Sequence, residues 1–356
     1  MPVAPAPAPA AEPAPAPLPP IDVHAWAHIG SQLSTNNVAK AKKDRLTEDG
    51  DMELHLDGAV TKNIGLTANI KGSFGSGTNN GSVTILDLIA RFDIDDAFHV
   101  WAGRMLVPSD RANFSGYWFA APWYYAGTFG SGFAGPAEGP SGRNDGVTIW
   151  GQAEGGLFKY YVSAFDLYDT KGSPLFSGRL NLALINPEPG YYHSSTYYGG
   201  KDILAIGIGG QMKHNGSASE AGVAGGVLDD YAELNADVLF EKNLKESGVI
   251  DVEAAFYKYQ GKYQLDYSWL GLVSWLTPDK VGPGKIQPLV RVQQAAPQVG
   301  DTQSSVEVQA GYVIADYAAR LALGYQHTWL ASKGGGPLGA DAIEGNNVYL
   351  GVQLLK

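Results

Sequence analysis

From Ile21 onward, apolar and polar residues alternate in short segments separated by turn residues. Leu234, Ala236, Val238 and Phe240 interleave with Glu233, Asn235, Asp237 and Glu241. Ile250, Val252, Ala254 and Phe256 interleave with Asp251, Glu253 and Tyr257, and Val306, Val308, Ala310 and Tyr312 with Glu307, Gln309 and Gly311. Leu321, Leu323 and Tyr325 alternate with Arg320, Gln326 and Thr328, and Val348, Leu350, Val352 and Leu354 with Asn347, Gly351 and Gln353. A period of two marks a strand with one apolar face. Weaker segments of the same kind lie near 24–31, 53–61, 64–71, 83–94, 98–105, 146–152, 157–165, 176–184, 203–212, 263–275 and 286–293. About sixteen segments share the chain beyond residue 20. That leaves roughly 21 residues for each strand and its connection, which suits tilted membrane strands of about 9–11 residues. Splitting or merging the weak segments allows fourteen to eighteen strands, so about sixteen is the central expectation.

A soluble sandwich has the same period. Three features point instead to a transmembrane antiparallel up-and-down β-barrel. The polar faces are rich in Gly, Asn, Gln and Tyr, as a crowded aqueous lumen would be. Rings gather near segment ends, at Trp118-Phe119, Trp123-Tyr124-Tyr125, Tyr191-Tyr192, Tyr197-Tyr198, Trp269 and Trp275, where interfacial girdles would lie. Tight turns at Lys62-Asn63, Asp95-Asp96, 153–156 and Ala315-Asp316 alternate with longer connections at 33–50, 74–81, 106–143 and 330–344. Short turns at one end and long loops at the other suit a barrel with periplasmic termini. The stretches 185–201 and 260–262 break that alternation.

Composition narrows the reading. The 356 residues contain no Cys, which fits an exported protein. The formal charge of −11 argues against nucleic acid as a partner, since phosphate neutralisation needs clustered Lys and Arg. No run approaches the roughly eighteen apolar residues of a membrane helix, a test that a barrel escapes because only alternate residues face lipid. Residues 1–20 are almost all Ala and Pro, so a disordered, polyproline-like arm is expected before the barrel of 21–356. With no signal peptide ahead of it, the chain reads as a mature sequence with an added start Met.

The connection 106–143 is far longer than ordinary loops and rich in glycines and rings, which suits an inward-folded third loop that narrows a pore. Its candidate constriction residues are Asp110, Arg111, Phe129, Phe133, Glu138, Arg143 and Asp145. With apolar faces toward lipid, the expected lumen residues are Asp87, Arg91, Asp93, Arg104, Lys159, Arg179, Glu233, Asp237, Glu241, Asp251, Glu253, Arg291, Glu307 and Arg320. Opposed charges in a pore set a transverse field, and rings of one sign select ions. Acids outnumber bases here, which predicts weak cation preference or little selectivity. Motifs for a serine-hydrolase elbow, a zinc protease or a P-loop are absent, so no catalytic residue, cofactor or metal is expected. His24 and His28 are four apart, but on a strand that is about 13 Å, too far to share a metal.

Four stretches resemble the phosphate-selective porin O and P family of Gram-negative outer membranes. They are Trp101-Ala-Gly-Arg104-Met-Leu-Val-Pro108-Ser-Asp-Arg111, Arg143-Asn-Asp145-Gly146-Val-Thr-Ile-Trp-Gly151, Phe158-Lys-Tyr160-Tyr161-Val-Ser-Ala-Phe165, and Gly178-Arg179-Leu-Asn181 with Pro187. The resemblance is strongest over 98–187. It implies a sixteen-stranded barrel, a homotrimer in outer-membrane lipid, a third loop folded into the lumen, and passage of small hydrophilic solutes or ions. The chain departs from that family in two ways. Its 106–143 connection holds no Lys, which points away from phosphate selectivity, and its end is Leu354-Leu355-Lys356 instead of an aromatic residue. The alternative readings are a plugged, structural or partner-sheathing barrel and a barrel enzyme acting on lipids.

Overall fold

A computed structural model describes residues 21–36, 45–75, 78–125, 140–167, 173–215, 230–261, 265–298, 302–330 and 345–356. The expected arm and three constriction candidates, Phe129, Phe133 and Glu138, lie outside the described residues.

The described chain forms one closed, antiparallel, sixteen-stranded barrel in up-and-down order. The first eight strands are β1 Ile21–Asn36, β2 Arg45–Thr61, β3 Ile64–Gly75, β4 Thr78–Asp95, β5 Phe98–Leu106, β6 Arg143–Ala153, β7 Phe158–Phe165 and β8 Leu175–Ala183. The rest are β9 Ile203–Lys213, β10 Tyr231–Asn243, β11 Val249–Gly261, β12 Leu265–Leu276, β13 Lys285–Pro297, β14 Gln303–Ala315, β15 Ala319–Leu330 and β16 Gly345–Leu355. Strand count and order agree with the sequence pattern. The barrel closes where β1 pairs with β16, Trp26 opposite Leu355 and Gly30 opposite Gly351. Closure pairs every strand on both sides and leaves no edge, the condition lipid imposes on a sheet.

Alternation sorts the side chains. Leu180, Ile208, Ala236, Phe256 and Trp269 are successive partners on β8 to β12 and form part of an outward apolar band. One position along, Lys159, Asn181, Gly207 and Asp237 are partners on the inward face. Trp269 and Trp275 lie on the outward row of β12 with Val273, as girdle rings would.

The other ring clusters correct the girdle expectation. Trp118, Trp123, Tyr191 and Tyr198 are buried and contact inward-facing residues. The Trp123 ring stacks on His28 at 3.6 Å, and Tyr191 stacks on Trp101 at 4.5 Å. A ring in a long connection can be buried as well by a barrel interior as by lipid.

Tight turns Lys62-Asn63, Asp96-Ala97, Glu154–Leu157 and Asp316–Ala318 sit at the end that holds both described termini. There Ala25 N donates to Lys356 O at 2.7 Å, and Leu355 N donates to Ala318 O at 2.9 Å. The connection of residues 184–202 also leaves from this end and is not tight. Among the described residues, the one α-helix, α1 Arg111–Ser115, follows β5. No described helix is long and apolar enough to cross a membrane.

Candidate functional site

Two connections bond extensively to the polar side chains that the strands turn into the barrel interior. The first follows β5. Asp110 caps α1 by accepting from Asn113 N at 3.1 Å, and it also accepts from Tyr257 OH on β11 at 2.5 Å. Burial pushes the Asp110 carboxyl up, and the nearby Asp237 charge adds to that. Beyond α1 the chain is tied residue by residue to inward side chains. Trp118 Nε1 donates to Glu53 on β2 at 2.8 Å, and Trp123 N to Gln309 on β14 at 2.6 Å. Arg291 donates to Tyr125 O at 2.6 Å, Arg320 to Ala120 O at 2.5 Å and Tyr117 O at 3.0 Å, and Gln353 to Trp118 O at 3.0 Å. Glycine makes room for this packing. A Cβ on Gly351 would lie 2.0 Å from the Trp123 ring, and one on Gly209 would lie 2.3 Å from Ser109 O.

The second connection is 184–202. Thr196 Oγ1, Tyr197 N and Gly199 N donate to Glu241 at 2.7, 2.6 and 2.7 Å, and Ser195 Oγ donates to Glu253 at 2.5 Å. Lys159 Nζ donates to Gly190 O at 3.0 Å, and Tyr161 OH to Tyr191 O at 2.8 Å. The two connections also meet each other. Ser195 N donates to Phe119 O at 2.9 Å, and Arg111 makes a two-pronged bond to Glu188 at 2.8 Å on each prong. Arg111 and Glu188 are 0% and 1% exposed, so each depends on the other for its charge. Asp237, bound in two-pronged fashion by Arg179 at 2.7 and 2.9 Å, also accepts from Arg111 N at 3.2 Å. Burial raises the Glu188 carboxyl, but Arg111 and then His193 outweigh it and hold it well below the usual glutamate range. Burial first, and then the Lys159 charge, keep His193 well below the usual imidazole range.

Many of the sequence-derived lumen residues face inward and are buried: Asp87, Lys159, Arg179, Glu233, Asp237, Glu241, Asp251, Glu253, Arg291, Glu307 and Arg320. Most are spoken for. Asp87 pairs with Arg143 at 3.2 Å, Arg91 with Asp57 at 2.8 Å, and Arg291 with Glu307 at 2.5 Å. Asp93 accepts from Trp101 at 2.9 Å and meets His99 at 2.8 Å. Glu233 accepts from Tyr231 at 2.5 Å and Asn235 at 2.8 Å, and Asp251 from Ser274 at 3.4 Å.

Two assignments are corrected. Arg104 and Asp145 share the outward parity of Val100 and Ala102 on β5 and Val147 and Ile149 on β6. They bond to each other at 2.6 and 2.9 Å on the outer face, 34% and 48% exposed. Arg104 is therefore not a lumen residue, and Asp145 is not part of the constriction. The sequence reading also missed Glu188, His193 and Glu53. Its signal for the first two was the overlong 185–201 stretch on the short-turn side.

A cavity of about 800 Å³ remains between the two connections and the wall made by β1 to β4. Its lining includes Trp26, Glu53, Asp87, Phe119, Tyr192 and Lys201. His24 also lines it, whereas His28 is buried under Trp123. Among the described residues, no group of three or more His, Asp or Glu is placed to hold a metal.

No known protein family and no curated protein matches the chain in sequence. Solved structures match in fold. OmpF of Salmonella typhi, in complex with daunomycin, superposes with a TM-score of 0.62 at 9% identity, covering 94% of this chain and 97% of its own. OprB of Pseudomonas putida gives 0.61 at 10% identity over 94% of each chain. The trimer form of OmpT, an outer membrane protein of Vibrio cholerae, gives 0.58 at 13% identity over 95% of this chain and 99% of that one. The likeness is one of fold, the barrel of outer-membrane porins.

Proposed function

We propose that this chain is an outer-membrane porin, a passive channel for small hydrophilic solutes or ions, with no catalytic role. The observation that carries the reading is a closed barrel with an outward apolar band and an inward face of buried charged and polar residues. Lipid on the outside and water on the inside is the environment that such a division requires. The fold shared with OmpF, OprB and OmpT supports a Gram-negative outer-membrane location, and the trimer form of OmpT supports a homotrimer. Periplasmic termini follow from the tight turns at that end.

The passage is narrowed by the 106–143 connection and again by 184–202. The bonds of residues 107–125 to β2, β10, β11, β13, β14, β15 and β16, and of 188–199 to Glu241, Glu253 and Lys159, support that reading. Arg111, Arg179, Arg291 and Arg320 are engaged with carboxylates or main-chain carbonyls. Few basic groups are left to attract anions, so the channel has weak cation preference or little selectivity.

Proteoliposome swelling tests the function. Vesicles carrying the folded protein swell in iso-osmotic arabinose faster than empty vesicles, and the rate falls as solute mass rises. Equal rates with and without protein would refute an open passage. A reversal potential in a salt gradient of strongly anionic sign would refute the selectivity.

A further inference from the structure

We propose that the cavity between the two connections is a binding site for a neutral carbohydrate, one that takes a pyranose ring against its aromatic wall. This rests on the channel reading above and names the solute class that the passage favours.

The first observation is the state of the rings. Tyr192 belongs to a connection bonded into the barrel interior, yet 40% of it is exposed, and it lines the cavity. Its neighbour Tyr191 is 2% exposed and packed on Trp101. Trp26 and Phe119, also on the lining, are half-buried and meet edge to face at 5.3 Å, with His55 packed on Trp26 at 3.7 Å. Open aromatic faces inside a water-filled path do nothing for ion passage. They offer flat apolar platforms on which the C–H face of a sugar ring can stack.

The second observation is charge. The carboxylates on the lining, Glu53, Asp57, Asp87 and Glu188, are each already satisfied. Asp57 has Arg91, Asp87 has Arg143, and Glu188 has Arg111. Glu53 accepts from Asn69 at 2.9 Å and Trp118 at 2.8 Å. Of the lining cations, Arg143 is held by Asp87, and Lys201 donates to Pro187 O at 2.7 Å and lies over the Tyr197 ring, so an anion meets a single lysine without a carboxylate partner and a cation meets only engaged carboxylates. A hydroxyl both donates and accepts, and it can use the remaining lone pairs and N–H groups of paired charges without separating them. Neutral hydroxyls beside aromatic platforms describe a carbohydrate. The cavity volume of about 800 Å³ lies within the span of sites that hold a small molecule.

The test is block of the ion current through the purified protein in a planar bilayer by maltose, with sorbitol as the open-chain control. Maltose is expected to reduce the current saturably, with a half-blocking concentration about tenfold below that of sorbitol. Tyr192→Ala is expected to raise the maltose value about tenfold while leaving the sorbitol value unchanged. Tyr192→Phe is expected to keep the block, since the ring and not the hydroxyl does the work. Equal, unsaturable effects of maltose and sorbitol would overturn the proposal while leaving the channel intact. Stronger block by benzyl alcohol than by maltose would overturn the carbohydrate class. If no channels form, the channel reading fails, and tryptophan fluorescence of the detergent-solubilised protein decides binding. A saturable change with maltose and not sorbitol supports the site, and no change overturns it.

Discussion

The guanidinium of Arg111 meets the Glu188 carboxylate where neither touches bulk solvent, so each is stable only while the other is present. Glu188→Gln leaves Arg111 facing a neutral amide and the Asp237 charge 3.7 Å away. The loss expected is about 3–5 kcal/mol, read as a lower midpoint in urea unfolding of the vesicle-embedded protein. The double variant Arg111→Leu with Glu188→Leu recovers most of it, because no lone charge is left behind. A single-variant loss that the double variant does not recover would mean the pair is not the source. The sign of the pH effect follows from the depressed Glu188 value. The bond contributes its full stability above the ordinary glutamate value of 4.5 and loses it as pH falls toward the lower folded value. The difference in midpoint between wild type and Glu188→Gln is therefore flat from pH 8 to about 5 and shrinks in stronger acid. A difference that shrinks instead near neutrality would contradict this. Neither partner was legible as a pair, since 77 positions separate them and sequence spacing carries no trace of a contact across a lumen. Arg104 failed for another reason. Trp101 and Met105 on β5 pack inward, so apolar residues lie on both faces and polarity no longer marks direction.

Strands were the legible elements. β10 and β11 appear as uninterrupted alternation because lipid and lumen demand opposite chemistry on successive residues. Turn positions fell within about one residue for Asp96-Ala97 and Glu154–Leu157, where polar residues and glycine end the alternation. The connection of residues 184–202 was visible only as an irregular length, because its order comes from Glu241, Glu253 and Lys159 on strands distant in sequence. Replacing 186–200 by a short Gly-Ser turn is expected to widen the passage. Unit conductance should rise at least about twofold, provided the variant still migrates as a folded barrel on gels. An unchanged conductance from folded variant would mean that the segment does not lie in the conducting path.

For the whole molecule, physics asks a lipid-exposed sheet to close on itself and then leaves the interior free for function. Here that interior is heavily furnished. Two connections cross-linked by Arg111 and Glu188 draw Glu53, Lys159, Asp237, Glu241, Glu253, Arg291 and Arg320 into fixed bonds, and an aromatic cavity of about 800 Å³ remains beside them. Such an arrangement is a narrow channel if a path stays open beside the two connections and a sealed barrel if none does. The open path is tested most directly by the unit conductance of the purified, folded protein in a planar bilayer. An open passage gives stepwise, stable insertions with a small unit conductance and little selectivity. Silence from folded protein would contradict it and make the chain a plugged or structural barrel.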